Sequence, residues 1–221
     1  MPFDVTLQQA VGTVGQAHAL GPVWKRVVDF SGAALLLVAL SPLLIAIGLV
    51  VRCGGGSALF RHRRIGQRGR EFDCFKFRTM VPNAEAVLHE LLEKDHAARE
   101  EWARDHKLRK DPRITAIGRF LRKTSLDELP QLINVLRGEM SLVGPRPIVL
   151  QELPKYGRTA SKYLAVKPGI TGLWQVTGRN NTDYQERVAL DRYYMSHLSL
   201  RLDLAILFRT IPAVLLRSGA Y

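Results

Sequence analysis

Cysteine is nearly absent from this 221-residue chain: Cys53 and Cys74 are the two present, with no CxxC or Cys/His spacing around them. That excludes a disulfide framework and a zinc module of ordinary spacing, and it favours a reducing, cytosol-facing compartment. The six histidines show no metal-ligand spacing either. No Gly-x-Ser-x-Gly elbow, Walker loop or dinucleotide-binding glycine pattern occurs, which removes the commonest hydrolase, P-loop and Rossmann readings. No internal repeat or low-complexity tract is present. Lys and Arg are missing from Met1 to Pro22. A stretch without a basic start does not read as a secretory signal, so residues 1–22 are expected to be a loosely ordered leader, with no function assigned. Arg52 stands where a lipidated Cys53 would need a small residue.

Acidic residues are also in short supply. Twenty Asp plus Glu face 32 Lys plus Arg, a net charge of +12, which points to polyanionic partners: nucleic acid, anionic lipid or phosphorylated substrates. At 47% hydrophobic residues the chain can bury a core of its own as one domain.

What the sequence has in abundance is one apolar run, Phe30 to Val51, interrupted only by Ser31, Gly32, Ser41, Pro42 and Gly48. Its length meets the roughly 20 residues that span a bilayer. Two features favour a turn back over a crossing. Ser41-Pro42 lies near the middle, where proline lacks an N–H and kinks or breaks a helix. Basic residues also flank both ends, Lys25 and Arg26 before and Arg52, Arg61, Arg63 and Arg64 after, and both flanks prefer the cytoplasmic side. The expectation is a re-entrant helix-break-helix over residues 23–52, broken at Ser41 and Pro42, with a cytosolic domain over 53–221. Asp29 is expected at the interface, paired with Lys25 or Arg26.

Ala58 to Met80 reads as a β-hairpin around Gly66 to Gly69. In its second strand Phe75 and Phe77 alternate with Lys76 and Arg78, whose face meets a phosphate or, as the commoner case, solvent. Asn83 to Lys107 has the spacing of one amphipathic helix. Leu200 to Leu216 is apolar with interspersed arginines, a helix for the membrane interface or for packing beneath the domain.

The stretch from Arg119 to Pro147 carries the chemistry. Asp127 and Glu128 precede an apolar helical pattern, and Ser125 with Glu128 three residues later matches a capping box, which alone would explain both residues. A basic cluster of Arg119, Arg122 and Lys123 lies just before them. An acid pair beside cations suits phosphoryl transfer with a divalent metal, Asp127 serving as nucleophile and Glu128 as ligand. Mg²⁺ fits, because it prefers carboxylate and phosphate oxygens. Gly144-Pro145-Arg146-Pro147 is a rigid turn that aims one guanidinium. Trp174, Gln175 and Arg179 sit among turn-rich, basic segments that form a plausible rim for a nucleotide-sugar.

In this order, the Lys25-Arg26/Asp29 start, Ser41-Pro42, Lys76 to Met80, Ser125 to Gln131, Gly144 to Pro147, Pro168 to Gly172 and Gly178 to Asn180 resemble the monotopic phosphoglycosyl transferases, or bacterial sugar transferases. The resemblance covers Lys25 to the C-terminus and is closest to the short exopolysaccharide-initiating galactosyl-phosphate type. It implies an α/β-type monotopic membrane protein with a compact, mostly helical cytosolic domain and a small hairpin or sheet. It implies Mg²⁺, a UDP-sugar donor (UDP-galactose first, UDP-glucose second) and undecaprenyl phosphate as acceptor at the cytoplasmic face of the inner membrane. UMP would leave in a ping-pong reaction through a phosphosugar on Asp127, with Glu128 on Mg²⁺, Arg122 on phosphate and Pro145 and Arg146 on the nucleotide. A homo-oligomer is compatible with it. The competing classes are a tethered nucleic-acid binder, which lacks any recognisable motif, and a non-catalytic membrane scaffold.

Overall fold

The computed structural model describes residues 22–105, 108–177 and 183–215. The leader up to residue 21 lies outside the described residues.

The apolar run forms helix α1, Val23–Cys53, whose 31 residues at 1.5 Å each make about 46 Å of path. The expected break at Ser41-Pro42 is not one: the helix is continuous, with Pro42 inside it. Pro42 cannot donate to the Val38 carbonyl one turn back, and Ser41 Oγ donates to that same carbonyl at 2.8 Å. The hydroxyl thereby replaces the missing backbone donor, a repair well suited to an apolar medium. Helix α1 is long and apolar enough to cross a membrane, and only 11% of its most apolar window is buried against the rest of the protein. A soluble core helix would be covered.

One stripe of α1 is nevertheless docked. Lys25, Asp29, Ala33, Ile47 and Val51 are buried, and Leu37 and Leu44 are partly covered by two different apolar clusters of the domain. Both ends of α1 therefore rest on one body. Asp29 does not stop at the local ion pair expected of it. Besides Lys25 at 3.6 Å, it accepts from Ser141 Oγ and the Leu142 N–H, each at 2.9 Å. Lys25 donates to Asp203 at 2.6 Å and to the Val143 carbonyl at 2.9 Å.

The hairpin is as expected, with strands β1 (Leu59–Ile65) and β2 (Glu71–Phe77) paired antiparallel from Leu59↔Phe77 to Ile65↔Glu71. Its β2 strand is covered on both faces, since Phe72, Cys74, Phe75 and Phe77 are all buried. The single amphipathic helix expected over 83–107 is two helices, α2 (Ala84–Lys94) and α3 (His96–Asp105). Asp95 separates them in an extended conformation and its Oδ1 accepts from the Ala98 N–H, so it caps α3 instead of continuing α2.

Helix α4 (Ala116–Thr124) is capped by Thr115 Oγ1 on the Gly118 N–H. Gly118 packs directly on the Thr79 backbone, where a Cβ would collide with the Thr79 carbonyl. Helix α5 (Gln131–Arg137) leads to strand β3 (Ser141–Val143), which pairs in parallel with β4 (Gly169–Thr171). Between the two strands lie a 3₁₀ segment, Leu150–Thr159, and helix α6 (Ala160–Ala165). Helices α7 (Leu173–Thr177), α8 (Tyr184–Ser196) and α9 (Leu200–Leu215) complete the described chain. Helix α9 buries Asp203 and Ile206 and leaves Leu204, Phe208 and Ile211 bare on its outer side. The main core joins Ala33 of α1 with β2, α5, β3 and α9. Among the described residues the architecture is thus a mostly helical domain with two two-stranded sheets and one largely bare apolar helix.

Candidate active site

The acid pair does not open a helix. Ser125 is in the left-handed conformation (φ 57°), closes α4 and makes no side-chain cap, so the expected capping box is absent. Asp127 and Glu128 sit on a 3₁₀ turn, Leu126–Glu128, and α5 begins only after Pro130. A non-glycine residue held at positive φ costs on the order of 1–2 kcal/mol, and it persists here two residues before Asp127. The helical N-terminus inferred from the sequence is therefore replaced by a strained reversal that turns the carboxyls toward β2.

Lys76 meets them there. Its Nζ is 2.6 Å from Glu128 Oε1, with both side chains about 30% exposed (28% and 32%). The Lys76 face is thus engaged, against the commoner expectation of solvent. Its position is fixed by Asn134 of α5, whose Oδ1 accepts from the Phe75 N–H at 3.0 Å and whose Nδ2 donates to the Asp73 carbonyl at 2.7 Å. A single amide thus pairs the β2 edge that β1 leaves open. Asn134→Ala leaves two buried backbone groups without that partner. It is expected to lower unfolding stability by about 1–3 kcal/mol and to weaken the Lys76–Glu128 register, measured by denaturant titration alongside activity.

Asp127 is 8% exposed. Burial and the neighbouring Glu128 charge push its carboxyl up to about 6, while Lys76 and Arg122 pull it down. Burial acts to lower the Lys76 pKa, but Glu128 and Asp127 overcome it and raise the value. Asp127 is thus a poorly solvated carboxylate that still ionises near neutrality, a good state for a nucleophile. Ionisation is required for attack, so a reaction using it should slow as pH falls through about 6. Roughly tenfold loss per pH unit is expected below that point, read from the pH dependence of kcat/KM. Arg122, on α4, donates from Nε to Thr79 Oγ1 at 2.9 Å. Thr79 belongs to the same Lys76-to-Met80 run, and its role as the Arg122 acceptor was not visible in the spacing. Arg78 lies elsewhere. It donates to the Val51 carbonyl at 2.9 Å and secures the end of α1.

A second cluster surrounds Arg146. Its guanidinium lies 5.8 Å from the Trp174 ring centroid, and Arg187 lies 4.9 Å from the same ring. Its neighbour Pro145 is buried. Gln175 is half-buried on α7 and donates to the Ile170 carbonyl at 3.2 Å. Arg179 lies outside the described residues. Arg64 and His62 of β1 link the clusters: the charges of Arg146 and Arg64 both act on His62 and Cys74, as does that of Lys76. The chain therefore brings Asp127, Glu128, Lys76 and Arg122 together, with Arg146 and Trp174 in a neighbouring cationic and aromatic region. Asp191 was not foreseen. It is an isolated acid on α8, buried, holding the Tyr156 hydroxyl at 2.7 Å and pushed up to about 7 by burial.

The profile of the family described as bacterial sugar transferase matches residues 20–217. The chain belongs to the bacterial sugar transferase family. It is 54% identical over 197 residues to an undecaprenyl-phosphate galactose phosphotransferase of Salmonella typhimurium, covering 89% of this chain and 41% of the relative. It is 52% identical over 208 residues to the exopolysaccharide production protein ExoY of Sinorhizobium fredii, covering 94% and 92%. A UDP-glucose:undecaprenyl-phosphate glucose-1-phosphate transferase of Caulobacter vibrioides is 40% identical over 206 residues, covering 89% and 72%. The chain thus spans about two fifths of the length of some relatives and nearly all of ExoY. Within this sugar transferase, Asp127 and Glu128 are the acid pair around which the described cations gather.

Proposed function

We propose that this bacterial sugar transferase moves a sugar-1-phosphate from a UDP-sugar to undecaprenyl phosphate, starting the assembly of an exopolysaccharide, and that Asp127 carries the phosphosugar between the two half-reactions. The observation that carries this reading is a buried, still ionisable Asp127 beside Glu128, Lys76 and Arg122. In the first half-reaction an Asp127 carboxylate oxygen attacks the β-phosphorus of the donor, and the bond from that phosphorus to the bridging oxygen breaks. UMP leaves with the bonding electrons, and an aspartyl phosphosugar remains. A phosphate oxygen of the polyprenyl carrier then attacks the same phosphorus, freeing the carboxylate and giving the lipid diphosphate sugar. Arg122 and Lys76 offset charge near the transferred phosphate. Arg146 takes the nucleotide phosphates, with Trp174 supporting its guanidinium.

The residues fit Mg²⁺. The described residues hold no group of three His, Cys, Asp or Glu side chains for an all-protein cage. One or two carboxylates completed by substrate phosphates and water is the usual magnesium arrangement. Glu128, with Asp127 beside it, would hold the ion, which would supply charge neutralisation on the diphosphate. Glu128 shares Oε1 with Lys76 in the described state, so its carboxylate is presented but not isolated.

The bare face of α1 and the exposed Leu204, Phe208 and Ile211 of α9 favour a membrane seat. Because both ends of α1 dock on the same domain and both flanks are basic, a re-entrant or in-plane placement at the cytoplasmic face of the inner membrane accounts for them better than a crossing. The donor is read as UDP-galactose before UDP-glucose, on the names of the relatives. The test is UMP release from a panel of UDP-sugars with Mg²⁺ and undecaprenyl phosphate. Release from UDP-galactose above the others is expected. Release from none would return the acid pair to a structural turn and favour the scaffold.

A further inference from the structure

Arg146 is exposed on a long side chain, yet the peptide that carries it is among the most firmly held in the molecule. The Val143 carbonyl accepts from Lys25 Nζ and from the Tyr194 hydroxyl, each at 2.9 Å. The Gly144 N–H donates to the Thr171 carbonyl at 2.9 Å, and the Gly169 N–H to the Pro145 carbonyl at 2.8 Å. At Arg146 itself the carbonyl accepts from the Tyr163 hydroxyl at 2.9 Å. The same hydroxyl oxygen accepts from the Ile148 N–H at 3.2 Å. The charge of Arg146 favours the ionised form of Asp191, whose Oδ1 has no hydrogen-bond partner among the described residues. The Asp191 Oδ2 is taken by Tyr156. Tyr163 is fully buried and Asp191 is 1% exposed, so neither reaches a substrate. They are polar exceptions in an apolar cluster of Ile65, Ile148, Leu153, Leu164 and Val188. Burying such groups is costly unless they are paired, and the Tyr163 hydroxyl makes its shorter donation to the Arg146 carbonyl, with the Ile65 carbonyl farther off at 3.3 Å.

We propose that Tyr163 is a positioning residue for Arg146, holding its carbonyl so that the guanidinium, beside Trp174, meets the donor's nucleotide phosphates in one orientation. The inference rests on the donor-binding reading of Arg146 and goes beyond it, since it assigns a role to a residue that touches no substrate. A side chain with several free rotors binds phosphate well only when its root is fixed, because the ordering cost is then met in folding and not in binding.

The experiment is a double-mutant cycle on the full chain, with UMP release from UDP-galactose in Mg²⁺ separated into kcat and KM. Tyr163→Phe is expected to raise KM about tenfold, the effect of losing one hydrogen bond of about 1.4 kcal/mol, with kcat nearly unchanged. Arg146→Ala is expected to raise KM at least as far, and Tyr163→Phe added to it to do nothing more. Should Tyr163→Phe fold poorly, equilibrium binding of UDP-galactose to its folded fraction, with and without Arg146→Ala, makes the same comparison. Additive effects in the cycle, or a loss of thermal stability with KM unchanged, overturn the positioning role. An Arg146→Ala protein with normal KM overturns the donor contact and the positioning with it. A wild-type chain that releases no UMP overturns the proposed reaction itself.

Discussion

Asp127→Asn should abolish UMP release, by at least about a thousandfold, and at the same time make the protein more stable. The first half follows from removing the only group assigned to attack phosphorus: an amide oxygen is too poor a nucleophile to replace a carboxylate. The second half follows from the sign of the pKa change. An ordinary aspartate ionises near 3.8, and Asp127 is pushed up to about 6 by burial and by Glu128. The folded state therefore holds the proton more tightly than the unfolded chain. Below pH 3.8 the group is neutral in both states and carries no penalty. The penalty grows as pH rises between the two values and is complete above about 6, where it amounts to at most about 3 kcal/mol. Asparagine carries no such charge, so the variant should melt several degrees higher at pH 7.5, and the gain should vanish by about pH 4. A structural acid that held the turn together would do the reverse and lose stability on substitution.

The second large effect concerns Lys25. Its ammonium lies between Asp203 at 2.6 Å and Asp29 at 3.6 Å, with side-chain exposures of 11%, 2% and 3%. Lys25→Met leaves two buried carboxylates without their cation and should cost about 3–5 kcal/mol in denaturant or thermal unfolding. Adding Asp203→Asn should restore much of that loss, because removing both members of a buried pair is far cheaper than removing one. No recovery in the double variant would mean that Lys25 acts mainly through the Val143 carbonyl, to which it also donates.

The parts of this molecule legible in sequence are those where one residue type at one spacing had one physical meaning. The hairpin followed from alternation around Gly66 to Gly69, the largely bare apolar helix from its run of Leu, Val and Ile, and the nearness of Arg122 to the Asp127-Glu128 pair from the basic cluster just before it. The errors arose where local chemistry had two outcomes. Pro42 usually ends a helix, but a serine immediately before it supplies a substitute hydrogen bond, and Ser41 does so. Ser125 with Glu128 is a good capping box, yet Ser125 is used at positive φ to reverse the chain. Asp95 interrupts an otherwise periodic segment because its side chain caps the next turn. Other features could not be read locally at all. The roles of Asn134, Tyr163 and Asp191 depend on partners 17 to 61 positions away, and no short pattern announces such a bond.

The most direct test of the covalent account is intact-protein mass after the chain is incubated with UDP-galactose and Mg²⁺ in the absence of any polyprenyl phosphate. The account predicts that wild type gains the mass of one hexose phosphate while UMP appears, that undecaprenyl phosphate discharges the adduct, and that Asp127→Asn gains nothing. Turnover with no adduct at any time, or an adduct that survives Asp127→Asn, would contradict it.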